Sequence, residues 1–336
     1  MKKLVALLLA AVMLLALTAC GEKTETAAPA DTSSTSSSAS SSGAKLRFVT
    51  GGESGTYYAF GSVIAQHATN NAGVNVVGLV GNGSQANVME LQDGNAELAF
   101  CQSDVMAYAY NGTNLFEETG KVDCFSTVAA LYMEQVQIVT TDASIKTVAD
   151  LAGKRVSIGS AGSGVYFNAI DILGAYGLTE NDIVPTYQSF GDSANDIKDG
   201  KIDAAFIVAG APTTAITDLA TTKDVYLVSL DDEHIESLCA TSDYYTKNVI
   251  PADVYGTDGD VTTVAVGAVI LARDDVSEDA IYNFAKDLFD NAEAEVSSHA
   301  KYGELNLDFA ASVTSVPYHP GAAKYFAEKG YTVTTK

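Results

Sequence analysis

The sequence predicts an α/β chain folded as two similar lobes with mostly parallel sheets, and three internal matches predict it. The turn Ser54-Gly55-Thr56-Tyr57-Tyr58 follows a strand and recurs after another strand as Ser163-Gly164-Val165-Tyr166-Phe167. The run Leu91-Gln92-Asp93-Gly94-Asn95-Ala96-Glu97-Leu98-Ala99-Phe100 recurs as Ile197-Lys198-Asp199-Gly200-Lys201-Ile202-Asp203-Ala204-Ala205-Phe206. Between these landmarks, Gly83-Ser84-Gln85-Ala86-Asn87 answers Gly191-Asp192-Ser193-Ala194-Asn195. Three matches in one order at nearly the same spacing mark a duplication, and two copies are too few for a solenoid. Strands alternate with helices in each copy, which implies parallel pairing. Ligands in such sheets bind beyond the carboxyl ends of the strands, where both Ser-Gly turns fall. Two lobes face to face would enclose a cleft between two helix N-termini.

The elements follow in chain order. Lys2 and Lys3, an apolar run over 4–17 and Thr18-Ala19-Cys20 describe a secretory signal over 1–19. The run is shorter than the ~20 residues of a spanning helix. Leu17-Thr18-Ala19-Cys20 resembles the lipobox of bacterial lipoproteins, which implies cleavage before Cys20 and a lipid on its sulfur. Residues 20–44 are rich in serine, have little to bury and read as a flexible tether. The body would then stand outside the cytoplasm, anchored to the membrane. Strand 46–50 leads through the first Ser-Gly turn into a helix through Ala65, and strand 74–80 leads to Gly81-Asn82-Gly83-Ser84, which opens another. Strand 99–101 precedes Gln102-Ser103-Asp104 and a helix over 105–110. A strand over 136–141 leaves the first lobe, one over 262–272 returns, and two such crossing strands make a hinge. Helices over 279–300 and 321–330 would complete the first lobe. Lobe 1 is therefore read as 45–138 with 265–336, and lobe 2 as 139–264.

Composition narrows the function. The chain has 336 residues, 47% of them hydrophobic, enough for one large core or two modest ones. Its net charge of −23 excludes general binding to a phosphate backbone. Four cysteines without C-x-x-C spacing and four histidines without H-x-x-x-H give no metal site, and no cofactor is called for. Beyond Cys20 the cysteines are odd in number, and the apolar neighbours of Cys101 and Cys124 favour buried free thiols. No phosphate-binding loop, nucleophile elbow or dinucleotide fingerprint occurs, so no catalytic residue is named and the chain is not read as an enzyme.

The two turns are the best binding candidates. Free N–H groups and the helix dipole favour an anion there, and a serine hydroxyl adds a donor. Each turn alone reads equally as a helix cap by Ser54 or Ser163; their pairing favours binding. Ser103 and Asp104 divide in the same way between capping a helix and orienting an amine or amide. Only Arg47, Arg155 and Arg273 carry guanidinium groups, and of these only Arg155 could reach the cleft. Helix N-termini, hydroxyls and at most one lysine must then hold a ligand's negative charge.

The motifs Thr50-Gly51-Gly52-Glu53-Ser54-Gly55-Thr56-Tyr57-Tyr58, Glu97-Leu98-Ala99-Phe100-Cys101-Gln102-Ser103-Asp104, Gly162-Ser163-Gly164 and Tyr318-His319-Pro320-Gly321-Ala322 stand in order over about 46–331. In them the chain resembles the TAXI-type solute-binding proteins of tripartite ATP-independent periplasmic (TRAP) transporters. The resemblance implies a two-lobed, type II periplasmic-binding-protein-like fold, two sheets joined by crossing hinge strands. It implies capture of glutamate, glutamine or a related carboxylate for an ion-gradient-driven membrane permease. An ATP-driven importer is the alternative partner, and a secreted α/β enzyme a further one. Carried onto this chain, the ligand contacts would be Ser54, Gly55, Thr56, Tyr57, Asn82, Ser84, Gln102, Ser103 and Tyr132 from one lobe. Ser160, Ser163, Gly164, Val165, Tyr166, Gly210 and Pro212 would supply the other. After Leu131-Tyr132 the family has Pro-Glu where this chain has Met133-Glu134, which puts the usual ligand in doubt.

Overall fold

The computed structural model describes residues 45–336. The signal, Cys20 and the tether lie outside the described residues. Each lobe follows the same β-α-β-α-β path. In the first, β1 (Lys45–Val49) runs into α1 (Thr56–Asn71), β2 (Asn75–Leu79), α2 (Ser84–Gln92) and β3 (Leu98–Gln102), with α3 (Ser103–Asn111) after it. The long β4 (Phe125–Thr140) carries the chain into the second copy: β5 (Arg155–Ser157), α4 (Gly164–Ala175), β6 (Val184–Thr186), α5 (Phe190–Lys198) and β7 (Ala204–Ala209). Then come α6 (Thr214–Ala220), β8 (Tyr226–Leu227), α7 (Asp232–Thr241) and β9 (Thr246–Ile250), before β10 (Val261–Arg273) returns. Helix α8 (Glu278–Asp290) and the helix Pro320–Glu328 pack Ile281, Phe284 and Phe326 against Phe48 and Phe60 of the first lobe.

Within each copy the first strand sits between the other two and pairs parallel with both: β2-β1-β3 and β6-β5-β7. The crossing strands are antiparallel to their neighbours. Residues 125–135 of β4 pair with β10, and residues 135–140 pair with β7. The two expected sheets are therefore joined by hydrogen bonds into one mixed path, β2-β1-β3-β10-β4-β7-β5-β6. Both faces of β4 and β10 are covered, as their nearly unbroken buried runs require. The sequence located only the last third of β4, because Glu134 and Gln135 interrupt its apolar run. The helix expected over 279–300 breaks at Asn291, whose side-chain amide donates to the Asp287 carbonyl at 3.0 Å and closes α8.

The duplicated Asp-Gly motif has a structural use. Its acidic residue, Glu97 or Asp203, grips the first strand of its copy by the backbone N–H and guanidinium of one arginine. Arg47 N–H donates to Glu97 at 2.8 Å and its Nε at 3.0 Å; Arg155 N–H donates to Asp203 at 2.8 Å and its Nε at 3.1 Å. The arginine holds each carboxyl below its usual range. Gly94 and Gly200 both take φ +71°, a left-handed turn that favours glycine. Arg155 thus pairs at the amino end of β5 and does not reach the cleft, contrary to the expectation; Arg273 is held by Asp275. Cys101, Cys124 and Cys239 are free thiols, but only Cys101 is buried; Cys124, just before β4, is half-buried. Among the described residues no helix is long and apolar enough to cross a membrane.

Candidate functional site

The four strand-to-helix turns of the two copies meet in one cavity of about 600 Å³, its mouth included. The β1–α1 turn supplies Gly51, Gly52, Gly55, Thr56 and Tyr57, and the β2–α2 turn Gly81 to Ser84. From the other lobe come Ser160 and Ser163 to Val165 of the β5–α4 turn, and Ser189 with Phe190 of the β6–α5 turn. Gln102 at the end of β3 and Glu134 of β4 complete the polar lining. The duplication explains the convergence: parallel strands with one path per lobe put all four turns at the carboxyl edge.

Three of the four helices that start at these cavity turns are left uncapped. Gly55 and Gly83 precede α1 and α2 without a side chain to cap them, and Ser163 precedes α4 without bonding a helix N–H. The Ser163 hydroxyl is buried and finds no partner. The fourth start, α5, is capped by Ser189, which accepts from Asp192 N–H; away from the cavity Asp231 and Ser277 cap in the same way, accepting from His234 and Ala280. A helix start normally leaves up to four N–H groups that need acceptors. Three such starts around one cavity, with no lysine or arginine in its lining, form a neutral cradle for an anionic group.

Contacts across the cleft hold the lobes together. Ala86 N–H donates to the Gly162 carbonyl at 2.9 Å and Ala215 N–H to that of Ser54 at 3.1 Å. Thr56 Oγ1 donates to the Gly210 carbonyl at 2.8 Å. Gln102 Nε2 donates to Asn168 Oδ1 at 2.7 Å, and Asn168 Nδ2 to Asp104 Oδ2 at 2.9 Å. Burial raises Asp104 to about 6.

Glu134 is the one charged side chain in the lining and is only 2% exposed. The Tyr57 hydroxyl donates to its Oε2 at 2.5 Å, with the Tyr57 ring stacked on Phe100 at 4.5 Å. Burial pushes the Glu134 carboxyl up to about 8, against the pull of the Tyr57 bond; Asp104 adds to the rise, and Lys301 lowers it.

The cavity brings together Gly55, Thr56, Tyr57, Asn82, Ser84, Gln102, Ser160, Ser163, Gly164 and Val165 of the predicted set. Six others lie off it. Ser54 lies toward Gly191, and the Ser103 hydroxyl accepts from Gly267 N–H at 3.0 Å. Tyr166 turns away to Glu180, to which it donates at 3.2 Å. Tyr132 is buried behind the lining with the Lys301 ammonium 5.1 Å over its ring. Gly210 binds Thr56 and abuts Lys301, while Pro212 lies in the turn after β7. Reading the motifs missed Glu134 and Phe190. Glu134 could have been found as the one acidic residue inside a mostly apolar strand; Phe190 carries no such signal.

A family model described as the NMT1-like family matches residues 48–330. A solved structure from Bordetella bronchiseptica RB50 is similar at 13% identity with a TM-score of 0.51, over 87% of this chain and 83% of that one. The alkanesulfonate-binding protein SsuA from Xanthomonas axonopodis pv. citri, bound to MOPS, gives 16% identity and a TM-score of 0.47, over 84% and 83% of the two chains. A putative L-cystine ABC transporter protein from Listeria monocytogenes gives 16% and 0.47, over 81% and 99%. At 13% identity the first likeness speaks for the fold alone, a two-lobed α/β fold.

Proposed function

The chain belongs to the NMT1-like family, and from that footing we propose that it is the extracytoplasmic solute-binding component of a membrane importer. It captures a small organic anion between its lobes and presents it to a permease. The observation that carries this is the α4 start: an uncapped helix whose Ser163 hydroxyl is buried without a partner in the cavity lining, facing two further uncapped starts. A carboxylate there would accept from the free N–H groups and the hydroxyl. Closure would turn on β4 and β10, with the lobe boundaries near 139 and 264. Cys20 and the tether enter this proposal from the sequence alone, as does the absence of catalysis.

For the permease, an ATP-driven importer comes first and the ion-gradient-driven TRAP permease second. The family match supports the solute-binding role, a putative L-cystine ABC transporter is among the similar structures, and the TRAP assignment rests on the motif resemblance. A gene beside this one for an ATPase, or for a large multi-helix permease, separates the two.

The test is mass spectrometry of ligand released from the purified protein, followed by thermal shift against amino acids, organic acids and sugars. A carboxylate recovered unchanged and raising Tm supports the reading. Stabilisation by sugars or plain cations and by no carboxylate rejects it.

A further inference from the structure

We propose that one rim of the cleft carries a proton-controlled latch: Asn168, buried where α4 meets the first lobe, ties the two lobes together, and the ionisation of Asp104 sets how firmly they stay closed. The proposal goes beyond solute capture and holds for any ligand of the cavity. Asn168 belongs to the second lobe, and its whole amide is committed to a chain of hydrogen bonds across the rim. Nδ2 donates to Asp104 Oδ2 at 2.9 Å and to the Tyr245 hydroxyl at 2.8 Å. Oδ1 accepts from Gln102 Nε2 at 2.7 Å, and the Tyr245 hydroxyl donates in turn to Asp171 Oδ2 at 2.8 Å. Gln102 and Asp104 come from the first lobe, Asn168, Asp171 and Tyr245 from the second. Gln102, Asp104, Asn168 and Tyr245 are all buried. The preceding residue, Phe167, enters the first-lobe core among Val88, Val105 and Met106, its ring 5.9 Å from that of Tyr108. On the opposite rim the bonds of Thr56, Ala215 and Lys301 end on the carbonyls of Gly210, Ser54 and Ala211. The Asn168 rim instead seals a carboxyl between the lobes.

The chain joins two carboxyls from opposite lobes with no cation between them. Facing Asp104 are Cys101 from β3, Tyr108 from its own helix, Glu134 from β4, Asp171 from α4, and Tyr244 and Tyr245 from the segment before β9; none carries positive charge. Closing the rim takes the Asp104 carboxyl out of water, a cost that falls on its charged form. Burial accordingly raises Asp104 to about 6, against the pull of the Val105 N–H and the Asn168 amide, and Asp171, itself raised by burial, adds to the rise. Opening would hydrate the carboxyl and return it toward its ordinary 3.8. The sign of the linkage follows. The closed form binds the proton more tightly, so the latch is firmest near pH 4 and loosens as pH rises through about 6. The change in the closing equilibrium is at most about a hundredfold. While the open form prevails, a ligand held only by the closed form gains affinity by up to the same factor in acid. Gln102 lines the cavity and donates to Asn168, so it links the ligand site to the latch.

The experiment is amide hydrogen exchange of the ligand-free full chain between pH 4 and 7. It is read at Ala86, whose N–H donates across this rim to Gly162, and expressed as protection relative to the intrinsic exchange rate at each pH. Opening would also hydrate Glu134, so the comparison is made in E134Q, which silences that carboxyl. The expected result is a fall in protection of about tenfold to a hundredfold, levelling off above about pH 6. Adding D104N should flatten the profile. Y245F breaks the chain without removing either carboxyl, and should lower protection about fivefold at every pH. A flat profile in E134Q, a fall that survives D104N, or protection unchanged by Y245F overturns the proposal, and the first and last need no change at Asp104. No ligand is added, so failure here leaves the anion reading to its own test.

Discussion

The two Ser-Gly turns begin alike and end in different employment. Both leave a helix uncapped at the cleft. In the first, Gly55 takes the capping position and Ser54 is displaced toward Gly191, while Tyr57 folds inward onto Glu134. In the second, Ser163 holds the capping position and lines the cavity, and Tyr166 turns outward to Glu180 and Tyr187. The difference arises from what each helix packs against. Helix α1 lies over a wall that offers Phe100 for stacking and Glu134 for a hydrogen bond. Helix α4 presents Tyr166 to the half-exposed edge near β6. The duplication thus sets the backbone of the turn, and the neighbouring wall decides which of its side chains line the cavity.

Four tests probe this asymmetry. The largest effect is expected from Gly164→Val. A Cβ at Gly164 would lie 1.3 Å from Gln102 Oε1, the side chain that reaches across to Asn168, so the lobes could not close. Binding should fall by at least about a hundredfold, or roughly 3 kcal/mol. At Gly55 the nearest contacts of a Cβ are 3.3 Å, and Gly55→Val should cost visibly less. Equal losses in calorimetry would show that the two turns are equivalent.

The second test is pH. Glu134 titrates near 8 in the fold against an ordinary 4.5, and Asp104 near 6 against 3.8, both raised by burial. Between those limits these two groups hold more protons in the folded state than in the unfolded chain, so their share of ligand-free stability is greatest near pH 4.5, against the opposite pull of His299 and His319, which burial keeps neutral. It should fall as pH rises from about 4.5 to 8, on the order of a few kcal/mol. Chemical denaturation across this range reads it, and E134Q should flatten most of the slope. A stability that climbs steadily to pH 8 would contradict the placement of these groups.

Third, Tyr57→Phe removes the one donor to Glu134 and should weaken binding about tenfold. Tyr166→Phe should leave affinity unchanged. The smallest effect is expected from Ser163→Ala: a few-fold loss of affinity, about 1 kcal/mol. The unbound Tm should hold or rise, since the deleted hydroxyl is buried without a partner. A drop in unbound Tm would mean that Ser163 is an ordinary cap.

Much of the architecture was legible because it is written locally and twice. The Asp-Gly turns, the strand-turn-helix order and the crossing strands follow from glycine at left-handed positions and from apolar runs of strand length. The alternative uses of Ser54 and Ser163 were legible only as alternatives. Whether a serine caps a helix or faces a cavity depends on rotamer and neighbours, not on spacing. Tyr166, Ser103 and Tyr132 lie off the cavity for the same reason: adjacency to a motif fixes a backbone position and leaves the side-chain direction open. Glu134 escaped notice as a site residue because an acidic residue in a strand acquires its meaning from burial, which the chain in isolation does not display.

The sequence by itself determined that two copies of one β-α-β-α-β unit face each other and that the arginines are too few to clamp an anion; under the proposed function helix starts would hold it. Those are properties of period, glycine placement and composition. Only the tertiary structure decided that the arginines are engaged at the far ends of the strands, that three of the four cleft-facing helices are uncapped, and that the buried Glu134 carboxyl stands among them. Desolvation and pairing are produced by segments distant in sequence coming together, so the charge that a ligand meets is set by packing.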